Sequence, residues 1–180
     1  MADTPAYDLP VRRVLVAGCP GAGKSALARR LGAKLGMPVI HLDFYYLCPG
    51  WQLPDLAVWR KQVTALLAPP EWMIDGKDAN TFDIRMARAD SSMWLDYPRA
   101  ICVRRVFTRI VKSYGHTRSN LRPSCPEKFD LEFLRYVWDF PRTQQPHIAA
   151  GIDQFGGYLR VSRFGRHRDA EDFLAAPGAH

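Results

Sequence analysis

The sequence has no Cys-x-x-Cys pair, no apolar run long enough for a membrane, and a 30-residue stretch without a single acidic side chain. Each absence narrows the reading. The four cysteines, Cys19, Cys48, Cys102 and Cys125, are scattered. Their spacing fits neither a zinc framework nor a disulfide scaffold, and the lid-like region offers only His116 and Cys125 to a metal. No stretch approaches the ~20 apolar residues that span a bilayer. Met1 to Pro10 carries only Asp3 and Asp8 as charged side chains and lacks a basic segment followed by an apolar one. A secretory leader is therefore not expected, and a cytoplasmic location is.

The missing acidic residues lie between Asp96 and Glu127. That stretch carries Arg99, Arg104, Arg105, Arg109, Lys112, Arg118 and Arg122, and a second basic run follows at Arg160, Arg163, Arg166 and Arg168. The formal net charge is +7 over 180 residues. Such a charge suits polyphosphate, nucleic acid or an acidic surface. No helix-turn-helix, zinc finger or other nucleic-acid module is recognisable beside it.

What is present is an alternation of short apolar runs with amphipathic ones. Arg12 to Ala17 reads as a buried strand that stops at a glycine-rich turn. Lys24 to Leu35 places Leu27, Ala28, Leu31 and Leu35 on one face of a helix, which Gly36 and Pro38 end. Pro38–Leu42, Trp72–Ile74, Ser91–Leu95 and Tyr158–Ser162 read as four further strands. Helices are expected over 54–68, 81–89, 98–114, 130–140, 143–155 and 169–175. This order implies βαβ units, and so a three-layer α/β fold with a five-stranded parallel sheet in one domain spanning residues 1–180. An acceptor-binding segment is expected at about 43–70 and a basic lid at about 105–130.

Gly18-Cys19-Pro20-Gly21-Ala22-Gly23-Lys24-Ser25 is a complete phosphate-loop pattern between a strand and a helix. Glycines let successive backbone N–H groups turn inward on phosphate oxygens at a helix N-terminus. Lys24 then reaches the β- and γ-phosphates and the Ser25 hydroxyl ligates Mg²⁺. A nucleoside triphosphate, ATP with Mg²⁺, is the implied cofactor. Asp43 and Asp75 each follow an apolar strand, and ligands in open α/β sheets gather beyond the carboxyl ends of strands. One carboxylate can serve Mg²⁺ through water, a role assigned to Asp75. The other can orient or deprotonate an acceptor hydroxyl, a role assigned to Asp43. The competing reading of both is a helix cap or turn former. Asp96 precedes Pro98 and reads rather as a cap.

Arg105 and Arg109 share a helix face four residues apart, and Arg118 and Arg122 lie in the loop beyond. Positive charge around the transferring group is what phosphoryl transfer needs, and arginine binds phosphate bidentately. Arg105, Arg109 and Arg118 are thus candidate catalytic lid residues. Arg85, in the helix after Asp75, is a candidate grip for an anionic acceptor, with a surface role as the alternative. The aromatics of Phe44 to Leu53 either line the acceptor pocket or belong to the core.

Gly18–Ser25, His41-Leu42-Asp43, Trp72–Gly76, Thr81–Asp90, Leu95–Arg99 and Cys125–Phe133 (CPEKFDLEF) resemble the bacterial DNA topology modulation proteins, which are similar to adenylate kinases and other small P-loop kinases. The resemblance covers Val14 to about Pro146. It implies a nucleoside-kinase-like fold in which Asp75-Gly76 matches the Asp-Gly that ends the third strand of adenylate kinases. Arg105, Arg109 and Arg118 match lid arginines, and Arg85 matches the arginine of a Thr-x-x-x-Arg segment. The chain departs from the family at Lys77 and Asp78, where Asn and an aromatic are usual, and it lacks the Asp-Gly-Phe-Pro-Arg acceptor signature of adenylate kinases. The expected activity is transfer of the γ-phosphoryl group of ATP to a small nucleotide- or nucleoside-like acceptor, with no membrane partner. The alternatives are an ATP-dependent DNA-binding regulator and an NTPase without an acceptor.

Overall fold

The computed structural model describes residues 11–46, 54–76, 78–115, 129–155 and 157–176. Within them the chain runs β1 (Arg13–Gly18), α1 (Lys24–Leu35), β2 (Val39–His41), α2 (Leu42–Tyr46), α3 (Leu56–Leu66), β3 (Trp72–Asp75) and α4 (Phe82–Arg88). It continues β4 (Ser91–Leu95), α5 (Arg99–Ser113), α6 (Leu131–Thr143), α7 (Gln145–Phe155), β5 (Arg160–Phe164) and α8 (His167–Ala175). The five strands form one sheet in the order β2-β3-β1-β4-β5, and every pairing is parallel.

Alternation along the central strands builds two cores. Val14, Val16 and Met73 join one cluster with Leu27, Ala28 and Leu31 of α1 and Cys102, Val106 and Ile110 of α5. Leu15, Trp72 and Ile74 join the other with Leu42, Trp59, Val63 and Met86. Successive side chains of a strand point to opposite faces, so a sheet apolar on both faces takes helices on both. Three layers result.

Several boundaries differ from the sequence expectation. β2 ends at His41, and Asp43 lies in the first turn of α2 rather than at a strand end. β5 lies two residues later than the Tyr158–Ser162 reading, because Leu95 pairs with Phe164 and Ser91 with Arg160. α6 continues through Pro141 to Thr143. Asp96 does not cap α5, whose N-cap is Pro98. It instead accepts hydrogen bonds from Gln145 and from Arg163, whose Nε lies 2.8 Å away. In the second basic run, Arg163, Arg166 and Arg168 pair with Asp96, Asp169 and Asp172, so this charge is met within the fold.

Candidate phosphate and acceptor site

The turn between β1 and α1 is shaped by glycines where other residues would not fit. Gly18 has φ 138° and Gly21 φ 87°, conformations that side chains disfavour. A Cβ on Gly18 would lie 2.5 Å from the Leu95 carbonyl oxygen, and one on Gly21 would lie 2.5 Å from that of Cys102. The loop is therefore pressed against β4 and α5. Gly23, at φ 100°, caps α1 without any side-chain hydrogen bond. Cys19 directs its Sγ away toward the Val137 carbonyl, at 3.7 Å, so it offers the loop only its backbone.

Lys24 opens α1 and is 8% exposed. Its Nζ donates to the carbonyls of Gly18 at 2.8 Å and Cys19 at 3.0 Å. An ammonium has three hydrogens, so a third donor remains. Burial lowers the Lys24 pKa from its ordinary value, and the charges of Asp43 and Asp75 oppose that shift. The Asp43 carboxylate on α2 thus favours the charged form of Lys24 from a distance.

Ser25 and Asp75 meet. The Ser25 hydroxyl donates to Asp75 Oδ2, joining the start of α1 to the end of β3. Asp75 is 3% exposed, and its Oδ1 lies 2.7 Å from His41 Nδ1. A hydroxyl and a carboxylate side by side are hard oxygen donors, the type Mg²⁺ takes, with phosphate and water completing its shell. The residues present fit that cation.

Of the arginines expected in a lid, Arg105 reaches the loop: its Nη1 lies 3.4 Å from the Ala22 carbonyl and its guanidinium 5.7 Å from the Tyr97 ring centroid. Arg109 sits one turn on, 6.0 Å from the Phe133 ring of α6. Arg118 and Arg122, with His116 and Cys125, lie outside the described residues, as do Cys48 and the 47–53 part of the aromatic segment.

Arg85 is 1% exposed, so the surface reading is corrected. Its Nη2 donates to the Asp78 carbonyl and its Nε to the Thr81 carbonyl at 3.4 Å. Burial pushes its pKa down to about 10, against the neighbouring Asp78 and Asp43 charges. Arg85 also lines a cavity of about 550 Å³ beside Gly18 and Gly76, walled by Asp78, Phe82, Phe140 and His147 among others. That volume is in the range of small-molecule sites. Among the described residues, Asp43 does not line it, and its wall comes mainly from the turn after β3, α4 and α7. A smaller cavity, about 250 Å³, lies on the other side of the loop between Gly23, Arg105, Tyr97 and His167.

His41 and Asp78 carry more of the site than sequence reasoning gave them. Register would have found His41, because it pairs with Asp75 across β2 and β3. Asp78 gave only the signal of departing from the family pattern.

Among the described residues, no helix is long and apolar enough to cross a membrane. No family model and no curated protein matches the sequence. Among solved structures, shikimate kinase from Bacteroides thetaiotaomicron is similar, with a TM-score of 0.51 and 15% identity over 92% of this chain and 95% of that one. With its all-parallel five-stranded sheet and the glycine-rich turn between β1 and α1, the chain has the three-layer α/β P-loop fold of that small kinase.

Proposed function

We propose that the chain is a small-molecule kinase that moves the γ-phosphoryl group of ATP to an acceptor hydroxyl, in the manner of the adenylate-kinase-like DNA topology modulation proteins its motifs resemble. The observation that carries this reading is the convergence of Lys24, Ser25 and Asp75 at one loop, with a small-molecule-sized cavity sharing Gly18 with it.

The roles follow from the chemistry of each group. Backbone N–H groups of residues 18–25 bind the triphosphate at the N-terminus of α1. Lys24 keeps its ammonium close by through two loop carbonyls and directs its remaining hydrogen to the terminal phosphate. Ser25 and Asp75 would hold the cation, which would supply charge neutralisation and polarisation to the terminal phosphate. Arg105, with Arg109 and the sequence candidate Arg118, supplies positive charge against the negative charge that develops on the transferring group. Asp43 stands outside the cavity wall, with its charge acting at both Lys24 and Arg85, and takes the proton of the acceptor hydroxyl where the acceptor leaves the cavity toward the loop. Asp78 and Arg85 shape the floor of the acceptor cavity, and the smaller cavity beside Tyr97 and Arg105 receives the base.

The test is a panel of nucleosides, nucleotides and small alcohols assayed for acceptor-dependent ADP release. One acceptor class should raise ADP release well above the water background, and Lys24→Ala should abolish it. Slow hydrolysis indifferent to every acceptor would replace the kinase by a plain NTPase.

A further inference from the structure

His41 stands outside every role given above, yet it touches the carboxylate on which the cation site depends. β2 and β3 are neighbouring parallel strands, and their register sets His41 directly beside Asp75. The His41 Nδ1 to Asp75 Oδ1 distance is 2.7 Å, and the two side chains are 18% and 4% exposed. The other oxygen, Oδ2, receives the Ser25 hydroxyl.

We propose that His41 is a positioning residue that fixes the Asp75 carboxylate for the cation carried with ATP. The inference rests on the Mg·ATP reading of the loop. An ionised carboxylate can only accept, so both its neighbours must donate. Ser25 gives its hydroxyl hydrogen to Oδ2 and keeps its lone pairs for a cation. His41 gives Nδ1–H to Oδ1. The terminal torsion of an aspartate is soft, and a carboxylate held at one oxygen pivots about that contact. Held at both, it presents its remaining lone pairs in one orientation, and Ser25 is oriented with it. Histidine here does for a carboxylate what outer-shell partners do for metal ligands generally, where their loss costs about 10–100-fold in affinity.

The discriminating substitutions are His41→Leu, which removes the donor, His41→Asn, whose amide nitrogen stands near the Nδ1 position, and His41→Gln, whose amide reaches toward Nε2 instead. Equilibrium affinity for ATP is measured for each protein with Mg²⁺ and with chelator, together with the thermal midpoint. For His41→Leu, the gain in affinity on adding Mg²⁺ should shrink by about 10–100-fold. Affinity in chelator should stay at the wild-type level. His41→Asn should recover most of the gain and His41→Gln little of it, a contrast that still decides the matter where the leucine variant fails to fold. An unchanged Mg²⁺ gain in His41→Leu overturns the inference, as does an equal loss with and without Mg²⁺, or equal behaviour of the Asn and Gln variants. If the wild-type protein itself shows no Mg²⁺-dependent ATP affinity, the Mg·ATP reading fails first and takes this one with it.

Discussion

The indole Nε1 of Trp59 donates a 2.8 Å hydrogen bond to Oδ2 of Asp78, both side chains being almost wholly buried. The bond ties α3 to the turn that follows β3. The same carboxylate accepts from the Thr81 hydroxyl at 2.6 Å and from the Asn80 N–H at 3.1 Å. Asp78 therefore sets the shape of the segment that leads from Asp75 to Arg85. Asp78→Ala should cost on the order of 3 kcal/mol in urea unfolding, since it strands buried donors. Asp78→Asn keeps an accepting oxygen and should cost roughly half of that. Equal stability of the alanine variant and wild type would contradict this assignment.

Arg85 depends on the same turn. Arg85→Met removes the side-chain donor to the Asp78 carbonyl, leaves the Thr81 carbonyl with the backbone N–H of residue 85 alone, and takes away a positive charge that interacts with Asp78. A loss of roughly 3 kcal/mol is expected. Where the protein still folds, KM for the acceptor should rise by tenfold or more while ATP affinity changes little. An unchanged acceptor KM would make Arg85 a structural staple alone.

Gly21 and Gly36 both have positive φ, 87° and 67°, but only Gly21 faces a neighbour. Gly36→Ala pays only the left-handed strain of ~1–2 kcal/mol and should bind ATP as wild type does. Gly21→Ala adds a Cβ 2.5 Å from the Cys102 carbonyl. The loop must move, and ATP affinity should fall by at least tenfold. Isothermal titration of both variants separates strain from site geometry.

Burial lowers the Lys24 pKa below its ordinary 10.5. The sign runs against folding at low pH: the charged form is the one penalised, so the penalty is present below the lowered pKa and disappears above the ordinary one. Phosphate favours the charged form. ATP affinity should therefore weaken as pH rises, starting below the pH at which an ordinary lysine deprotonates. Binding measured between about pH 7 and 10 should show this slope in wild type and a flatter one in Lys24→Arg, whose guanidinium stays charged.

The phosphate loop was legible because its chemistry lies in consecutive residues. Gly18 to Ser25 needs no tertiary information beyond the strand before it and the helix after it. Both faces of the sheet were legible for the same local reason, through alternation at Val14, Leu15 and Val16. The place of Asp75 at the end of β3 is legible because an apolar run marks that strand. His41 was not given a role, because its partner lies 34 residues away and only the β2–β3 register joins them. The larger cavity is not legible in the sequence, since α4 and α7 meet beside Gly18 and Gly76 through the sheet order rather than through sequence proximity. For Arg85 the sequence leaves a surface role open, because its burial follows from contacts with Asp78 and Thr81 that its position alone does not show.

The most direct test of the whole account is equilibrium binding of ATP to the purified protein, with and without Mg²⁺, for wild type and Lys24→Ala. Mg²⁺ should tighten binding to wild type, and the alanine variant should lose at least a hundredfold. Absence of any Mg²⁺-dependent affinity in wild type, or wild-type affinity in Lys24→Ala, would contradict it.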